Sequence, residues 1–393
     1  MYRLQDPDRC GPQIVHGGAP YNQPVSAHNV LVRGAGAVGL AMALALARQG
    51  LRVALLGEPV SSEQRPDVRA YALNAASVDL LRQLKVWDAM APDARTPVHD
   101  MHIEGDAPGA ALDFSAWSQG LSELAWIVDA AELERALNAA ADFAPHLQRV
   151  QAAVPASLVV LAEGKDSVTR QQLGVRMPRH AYGHRAVAAR LTTTQPHAGL
   201  ARQWFRSPDI LALLPLDRPH AGRGFGLVWS VPDEQADRLM AMPVESFEEA
   251  LMDATAGAAG SLNLCGERAQ WPLSLAQADA VHGAGWVLVG DAAHVVHPLA
   301  GQGLNLGLAD VLALAGVLQA REAWRDLADP KLGERYARQR RAPTQAMAGV
   351  TDALWHLFAH PSPLTKELRN RGLSLLNQLP PLKRLLTGRA LGG

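Results

Sequence analysis

Short apolar runs near the start of the chain alternate with glycine-containing turns, in the order strand, turn, helix, strand. Residues 29–33 and 51–56 are apolar enough for buried parallel strands, and residues 40–49 predict a helix between them. The turn before this helix has the spacing G-x-G-x-x-G and contains Gly34, Gly36 and Gly39. In this context the spacing predicts a dinucleotide-binding turn, in which glycines permit a tight bend and close approach of a pyrophosphate. The alternative is a glycine-containing hairpin without a ligand.

A second combination of strand, loop and helix occurs late in the chain. Residues 287–289 are typical of a buried strand, and residues 304–318 predict an apolar helix. The loop between them contains a carboxylate, a proline and three glycines, namely Gly290, Asp291, Pro298, Gly301 and Gly303. A helix that begins behind two glycines presents free N–H groups and the positive end of its dipole. We therefore predict that this loop binds an anionic or electron-rich ligand.

Two charged residues follow the first glycine turn. Glu58 comes just after the second strand, close to the position at which an acid binds ribose hydroxyls, although one residue late. The alternative for Glu58 is a solvated loop carboxylate. Arg69 precedes an amphipathic helix that is predicted to continue to about Trp87, and an arginine placed there can bind phosphate oxygens in fork geometry.

The middle of the chain predicts a second domain built on a sheet. Runs rich in β-branched and aromatic residues, separated by Pro and Gly, predict strands within 97–114 and at 158–161, 182–194, 204–205, 210–216 and 225–231. Helices are predicted at 129–138 and 244–254. The strands from residue 181 onward are expected to form one antiparallel sheet.

The carboxyl-terminal region is predicted to be helical at 335–348 and 351–358, and residues 364–391 mix leucine with Lys and Arg. One interpretation is a helical cap over the nucleotide-binding domain, and the alternative is a surface that docks on a membrane.

Composition narrows the class of protein. The chain has 393 residues, 48% of them hydrophobic and 19% charged, so it is long enough for two or more domains with sizeable cores. The net charge of -1 provides no electrostatic basis for binding nucleic acid. The cysteines Cys10 and Cys265 do not suggest a disulfide scaffold, and no metal site is predicted because the 14 histidines are scattered. The first 29 residues do not resemble a secretory signal.

Three segments together resemble one family. The glycine motif, Arg69 in Arg-Ala-Tyr-Ala-Leu, and the loop from Gly290 to Asn305 resemble the FAD-dependent aromatic hydroxylases of the p-hydroxybenzoate hydroxylase class. Residues 181–216 resemble the substrate sheet of the ubiquinone-biosynthesis hydroxylases within that class. The resemblance implies an α/β fold: a Rossmann-like FAD-binding domain with an inserted antiparallel-sheet substrate domain and a C-terminal helical region.

The resemblance also implies domain boundaries. A loosely ordered lead-in is expected at 1–29, an FAD-binding domain at 30–96, 125–180 and 276–330, a substrate domain at 97–124 and 181–275, and the helical region at 331–393.

The implied function is a monooxygenase that uses FAD, NAD(P)H and O2 to hydroxylate an aromatic ring through a flavin C4a-hydroperoxide. The implied substrate is a polyprenylphenol of ubiquinone biosynthesis, and other proteins of that pathway are candidate partners. The implied location is the cytoplasm, with at most peripheral contact with the inner membrane. The alternatives are a flavin-dependent reductase or dehydrogenase of an isoprenoid, and a catalytically degraded homologue that acts as a scaffold.

The resemblance assigns site residues as well. FAD is expected to contact Gly34, Gly36, Gly39, Glu58, Arg69, Gly290, Asp291, Pro298, Gly301, Gly303, Leu304 and Asn305. Pro298 and His297 are expected beside the flavin, and backbone N–H groups from Gly301 to Asn305 are expected to stabilise negative charge on the reduced flavin. His294 and His297 are candidates for acid–base chemistry, with a hydrogen-bonding role in the loop as the alternative.

Two departures from the family pattern bear on activity. The family's middle motif is Asp-Gly followed by Ser and Arg, whereas this chain has Glu163-Gly164 with Ser167 and Arg170. The longer acid keeps the charge but moves it by about one methylene, which matters where geometry must hold to within about 0.5 Å. The segment between 140 and 158 is also expected to be shorter than in the family, which would weaken cofactor binding.

Overall fold

A computed structural model describes residues 27–58, 67–106, 109–296 and 302–359. The strands are β1 (His28–Arg33), β2 (Val53–Leu56), β3 (Ala70–Leu73), β4 (Arg95–Val98), β5 (Asp100–Glu104), β6 (Ala111–Ser115), β7 (Ala125–Asp129), β8 (Leu147–Val150), β9 (Ala156–Leu161), β10 (Arg179–Thr193), β11 (Leu200–Arg206), β12 (Asp209–Leu216), β13 (Gly224–Pro232), β14 (Leu262–Gln277), β15 (His282–Gly283), β16 (Trp286–Leu288) and β17 (His294–Val295). The helices are α1 (Ala37–Arg48), α2 (Ala75–Gln83), α3 (Ala130–Asp142), α4 (Val168–Gln172), α5 (Asp233–Ala241), α6 (Val244–Thr255), α7 (Gln302–Gln319) and α8 (Pro330–Ala359).

The first sheet has the strand order β15-β16-β9-β1-β2-β8. Its neighbouring strands are parallel, except that β15 and β16 form an antiparallel pair. Val30 in β1 is fully buried, and it pairs with Val53 on one side and Leu158 on the other. Helix α1 is buried along most of its length and contacts both α3 and α7. An apolar run such as β1 and an all-round apolar helix such as α1 are stable only when covered in this way.

The second sheet has the order β17-β14-β10-β13-β12-β11-β5-β6. Its pairs are antiparallel, but β11 and β5 run parallel, which the prediction of a purely antiparallel sheet did not include. Trp204 and Phe225 pack in the core of this sheet together with Phe247 of α6. A mostly parallel sheet joined to this large, mostly antiparallel sheet confirms the predicted fold class.

The third sheet is small and antiparallel, with the strand order β3-β7-β4. Strand β4 therefore pairs with β7, whereas β5 and β6 belong to the large sheet. Apolar residues of both sheets, including Ile127 and Leu214, form a common hydrophobic cluster.

Several predicted boundaries are wrong in detail. The predicted helices 335–348 and 351–358 are one helix, α8. This helix also continues through Pro343, although a proline has no backbone N–H to donate. Helix α1 begins at Ala37, so Gly39 lies in its first turn rather than before it. The helix expected to reach Trp87 ends at Gln83, and a 3-10 turn follows.

Some elements were not predicted. Helix α5 begins after Pro232 and has Asp233 and Glu234 in its first turn, which are helix-start signals. Strand β17 is only two residues long. Strand β8 lies in the segment that was expected to be short, and it forms the edge of the first sheet beside β2.

Among the described helices, none is both long and apolar enough to cross a bilayer. The leucine-rich and basic segment 364–391 lies outside the described residues.

Candidate functional site

The site is built at one edge of the first sheet. Strands β1, β9 and β16 are parallel neighbours, so their carboxyl ends lie side by side. The chain leaves these ends at Gly34, Glu163 and Gly290, respectively, or within two residues of them. Three motifs far apart in sequence are thus brought together at the edge of a parallel sheet where ligands bind in open α/β folds.

Glycine is required at two positions of the first motif. Gly34 has φ +113°, and a Cβ there would lie 2.2 Å from the carbonyl oxygen of Ala162, the residue directly after β9. A Cβ on Gly39 would lie 1.9 Å from the Gly34 carbonyl oxygen. Gly36 differs, because among the described residues no atom outside its own helix and chain neighbours lies within 4 Å of the Cβ position. Gly34 and Gly39 therefore close the turn, and Gly36 leaves the outer face of the turn open to a ligand.

The second motif begins with a 3-10 turn at Gly290–Ala292. Gly290 has φ +60°, and its N–H donates a 2.8 Å hydrogen bond to Asp310 Oδ2. The Asp291 carboxylate is exposed at the sheet edge. Desolvation by the surrounding protein raises its pKa, and the positive charges of His294, Lys165 and Arg69 only partly offset this. Asp291 thus presents a carboxylate where a ligand hydroxyl can donate to it.

A buried ion network holds this turn from behind. Asp310 of α7 is fully buried and accepts hydrogen bonds from His294 Nε2 at 2.8 Å and from Arg340 Nε at 2.6 Å. Burial opposes the charge on the His294 ring, but the Asp310 charge and hydrogen bond outweigh it and raise the pKa of His294. Burial likewise opposes the Asp310 charge, and His294 and Arg340 lower the pKa of Asp310 below its ordinary value. His294 therefore has a structural partner, in accord with the alternative of a hydrogen-bonding role.

Arg69 lies just before β3, where its charge acts on Asp291. Its guanidinium is held by Asp67, with Nη2 to Oδ2 at 2.6 Å, and by Glu134 at 3.3 Å. Burial opposes the charge on Arg69, but the hydrogen bond with Asp67 raises its pKa, so the side chain is a permanent cation. The two carboxylates orient the guanidinium, and phosphate contact by Arg69 stays a prediction.

Glu58 is exposed, directly after β2, at the same edge of the sheet as Gly34. This placement is compatible with a ribose ligand, and it equally suits a solvated carboxylate. Glu58 therefore stays a predicted contact.

Helix α7 brings Gly303, Leu304 and Asn305 into its first turn. The Asn305 side chain is nearly fully buried: its Oδ1 accepts from the Asn74 N–H at 3.0 Å and the Ser77 hydroxyl at 2.7 Å, and its Nδ2 donates to Ala72 O at 2.8 Å. The side chain therefore fixes the start of α7 against β3 and α2, and contact of Gly303, Leu304 and Asn305 with the cofactor stays a prediction. His297, Pro298 and Gly301 lie outside the described residues.

In the altered middle motif, both carboxylate oxygens of Glu163 accept hydrogen bonds. Glu163 Oε1 accepts from Arg33 Nε and Thr169 Oγ1, both at 2.8 Å, and Oε2 accepts from the Ser167 hydroxyl at 2.6 Å. Arg170 is buried and donates from Nη1 to the carbonyl of Ala292 at 3.1 Å. The middle motif thus contacts both flanking motifs.

A cavity of about 330 Å³ lies beside the second motif, between the large sheet and α8. Its lining is mainly apolar and includes Leu275, Val295 and Val296. Thr344 of α8 also lines it; this side chain is buried, and its hydroxyl has no hydrogen-bond partner among the described residues. Ligand cavities typically have this volume and this mixture of apolar lining with a few polar groups.

The sequence did not point to several residues that build the site. Asp310 and Arg340 lie in helices without a recognisable motif, and Arg33 follows three buried apolar residues of β1. A charge directly after a buried strand is itself a signal, because it needs a partner. In the described part of the chain, no group of three His, Cys, Asp or Glu residues is placed to hold a metal ion.

The residues fit FAD on the geometry of this chain. The open face at Gly36 adjoins the amino end of α1, where N–H groups and the helix dipole favour a pyrophosphate. A cation at Arg69 and a carboxylate at Asp291 supply complementary partners for phosphate and hydroxyl groups. An extended dinucleotide satisfies all three.

The chain matches a family model described as FAD binding domain over residues 27–148 and 132–351. It belongs to this family, and FAD is its cofactor, with NAD(P)H as the reductant typical of the family. In class it is an FAD-dependent monooxygenase.

Two curated proteins are similar to this chain over most of their length. The ubiquinone hydroxylase UbiL of Rhodospirillum rubrum is 30% identical over 390 residues, covering 93% of this chain and 89% of the relative. The 3-demethoxyubiquinol 3-hydroxylase of Escherichia coli is 30% identical over 411 residues, covering 94% and 99%.

Solved structures show the same fold. The p-nitrophenol 4-monooxygenase PnpA of Pseudomonas putida has a TM-score of 0.73 at 18% identity, with 93% of this chain and 98% of that chain covered. Klebsiella pneumoniae HpxO, solved with FAD and uric acid, has a TM-score of 0.69 at 17% identity, with 93% and 99% covered.

Proposed function

We propose that this protein hydroxylates the aromatic ring of a polyprenylphenol in ubiquinone biosynthesis, using FAD, NAD(P)H and O2. The observation that carries the proposal is the meeting of the Gly36 and Asp291 turns at one edge of the parallel sheet, with the Arg69 charge acting on Asp291 and a mainly apolar cavity alongside. The substrate class is supported by two relatives that match this chain over most of their length and whose names give them as hydroxylases of ubiquinone or demethoxyubiquinol.

FAD supplies the oxygen-activating chemistry when it is bound. The contribution of this chain is to bind the cofactor and to orient it relative to the substrate. The amino end of α1, open at Gly36, holds the pyrophosphate, Asp291 accepts from hydroxyl groups, and Arg69 neutralises phosphate charge. Backbone N–H groups in the first turn of α7 stabilise negative charge on the reduced cofactor.

The cavity beside β17 is the proposed position of the substrate. Its apolar lining excludes water and suits a prenylated ring, and the Thr344 hydroxyl is placed to hydrogen-bond a phenol oxygen. No buried acid or base in the described residues lines this cavity except His294, which is already bonded to Asp310. Orientation, rather than proton transfer by a side chain, is therefore the main task of the protein. Contact with a membrane surface or with other proteins of the pathway is a further prediction.

The test is turnover by the purified, FAD-loaded protein. NADH or NADPH, O2 and a short-chain polyprenylphenol are supplied, O2 uptake is followed with an electrode, and products are analysed by mass spectrometry. We expect substrate-dependent O2 uptake and a product that has gained one oxygen atom on the ring.

Other outcomes separate the alternatives. Reduction or desaturation of the isoprenoid without O2 uptake would identify a reductase or dehydrogenase. No turnover of any polyprenylphenol, together with unchanged quinone synthesis in cells that carry Asp291→Ala, would identify a scaffold and overturn the proposal.

A further inference from the structure

The last residue of β1 is a charged side chain in a buried setting. Arg33 directly precedes Gly34, and its Nε donates to Glu163 Oε1 at 2.8 Å. The arginine and glutamate side chains are 28% and 18% exposed, so both are largely removed from water. Charges in such a position are stable when they are paired. Arg33 and Glu163 therefore form an ion pair beside Gly34.

Glu163 organises the loop that follows it. Besides Arg33, its carboxylate accepts from the Ser167 hydroxyl at 2.6 Å, the Thr169 hydroxyl at 2.8 Å and the Thr169 N–H at 3.2 Å. Burial would raise the pKa of Glu163, but the bonds from Ser167, Thr169 and Arg33 outweigh it and lower the pKa. The acid is therefore ionised at neutral pH and accepts all four hydrogen bonds as a carboxylate.

The length of the acid matters for these four bonds. The Glu163 backbone N lies only 3.0 Å from where a Gly34 Cβ would stand, so its main chain is fixed against the glycine turn. An aspartate on the same main chain would withdraw both oxygens by about 1.5 Å, one carbon–carbon bond. Hydrogen bonds do not tolerate such a lengthening. The extra methylene is thus matched to a partner, Arg33, on the neighbouring strand.

The loop transmits this arrangement to the second FAD motif. The Ser167 hydroxyl accepts from the Arg170 N–H at 3.1 Å. The Arg170 guanidinium then donates to Lys165 O at 3.0 Å and to Ala292 O at 3.1 Å. Ala292 follows Asp291 directly, so a continuous set of hydrogen bonds runs from β1 to the turn that carries Asp291.

We propose that Arg33 is a positioning residue for FAD binding: it holds Glu163, and through Ser167 and Arg170 it fixes the Asp291 turn. The glutamate in the middle motif is then a substitution compensated by Arg33 rather than a loss of function. The inference rests on the FAD site of the proposed function, but it does not depend on the substrate.

The test is FAD affinity of the apo-protein, measured by quenching of flavin fluorescence on titration without any substrate. Arg33→Leu is expected to weaken FAD binding about tenfold or more, because hydrogen bonds to charged groups are among the stronger ones. Glu163→Asp is expected to weaken it similarly. In the double variant the second change is expected to add little, because the shorter acid no longer reaches Arg33.

Arg149→Leu is the matched control. Arg149 lies on β8 of the same sheet, its Nε bonds Asp142 at 2.8 Å, and its side chain is 26% exposed. Its removal is expected to change FAD affinity by less than about twofold, since its partners Asp142 and Asn138 lie outside the three motifs and Asp142 is 55% exposed. Arg33→Lys, which keeps the positive charge, is expected to recover most of the affinity and guards against a folding defect in Arg33→Leu.

Three results would overturn the inference: an Arg33→Leu protein with a lower melting temperature but unchanged FAD affinity, losses that simply add in the double variant, or an Arg33→Lys protein as weak as Arg33→Leu. Because no substrate is present, failure of the hydroxylation assay would leave this test intact, and the reverse also holds.

Discussion

Replacing Asp310 with asparagine tests the buried network behind the second FAD motif. Asp310 is fully buried and accepts from Gly290 N, His294 Nε2 and Arg340 Nε at 2.6–2.8 Å. Asp310→Asn leaves two cations buried without their counter-charge, and breaking a buried ion pair costs about 3–5 kcal/mol. At about 2–4 °C per kcal/mol for a domain of 150–250 residues, the melting temperature should fall by about 6–20 °C.

The measurement is thermal unfolding by circular dichroism, with FAD content of the purified protein as a second readout. FAD content should fall as well, because the Gly290 N–H that positions Asp291 loses its acceptor charge. Asp79→Asn is the control, since Asp79 pairs with Arg82 on an exposed helix surface, with side chains 60% and 49% exposed. Equal melting temperatures for the two variants, within about 2 °C, would refute the stabilising role of the network.

Further predictions concern the glycines and pH. Gly36→Ala should leave the melting temperature of the apo-protein unchanged, because the new Cβ has no tertiary contact within 4 Å in the described part of the chain, but it should weaken FAD binding at least about tenfold in a fluorescence titration. Gly39→Ala should instead destabilise the apo-protein in the same melting assay, because its Cβ would lie 1.9 Å from Gly34 O; an unchanged melting temperature would contradict the packing. The raised pKa of His294 means that its pairing with Asp310 stabilises the fold fully below pH 6.5 and progressively less as pH rises through the folded-state value. Melting temperatures across that range should therefore decline, and His294→Gln should abolish this part of the decline; an unaltered profile in the variant would assign it to other groups.

Local patterns explain what the sequence could predict. The spacing of Gly34, Gly36 and Gly39 between two apolar runs depends only on neighbouring residues, and the strands and helix around it form as expected. The turn after Gly290 was predicted on the same kind of signal. Both parts of the proposed FAD site were therefore recognisable from the sequence.

The partners of these motifs depend on tertiary structure and were not predictable. Nothing in the sequence near Glu163 points to Arg33, which is 130 residues away and becomes its neighbour only because β1 and β9 pair. Asn305 was predicted as a cofactor contact, yet its side chain bonds residues of β3 and α2, over 200 residues earlier. The break predicted between residues 348 and 351 is absent from α8, which packs against α7, and that packing has no local signal in the sequence.

The strand order of the parallel sheet also has a consequence for synthesis of the chain. Strand β1 gains its neighbour β2 soon after it is made, but its other neighbour β9 begins at Ala156, and β16 begins at Trp286. At about 5–20 residues per second, β16 emerges from the ribosome roughly 13–50 s after β1. During that interval one edge of the growing sheet is uncovered, first on β1 and then on β9, and such edges pair readily with other chains. A nascent chain of this protein therefore exposes an unpaired strand edge for most of its translation, and the motifs at the three strand ends meet only late in synthesis.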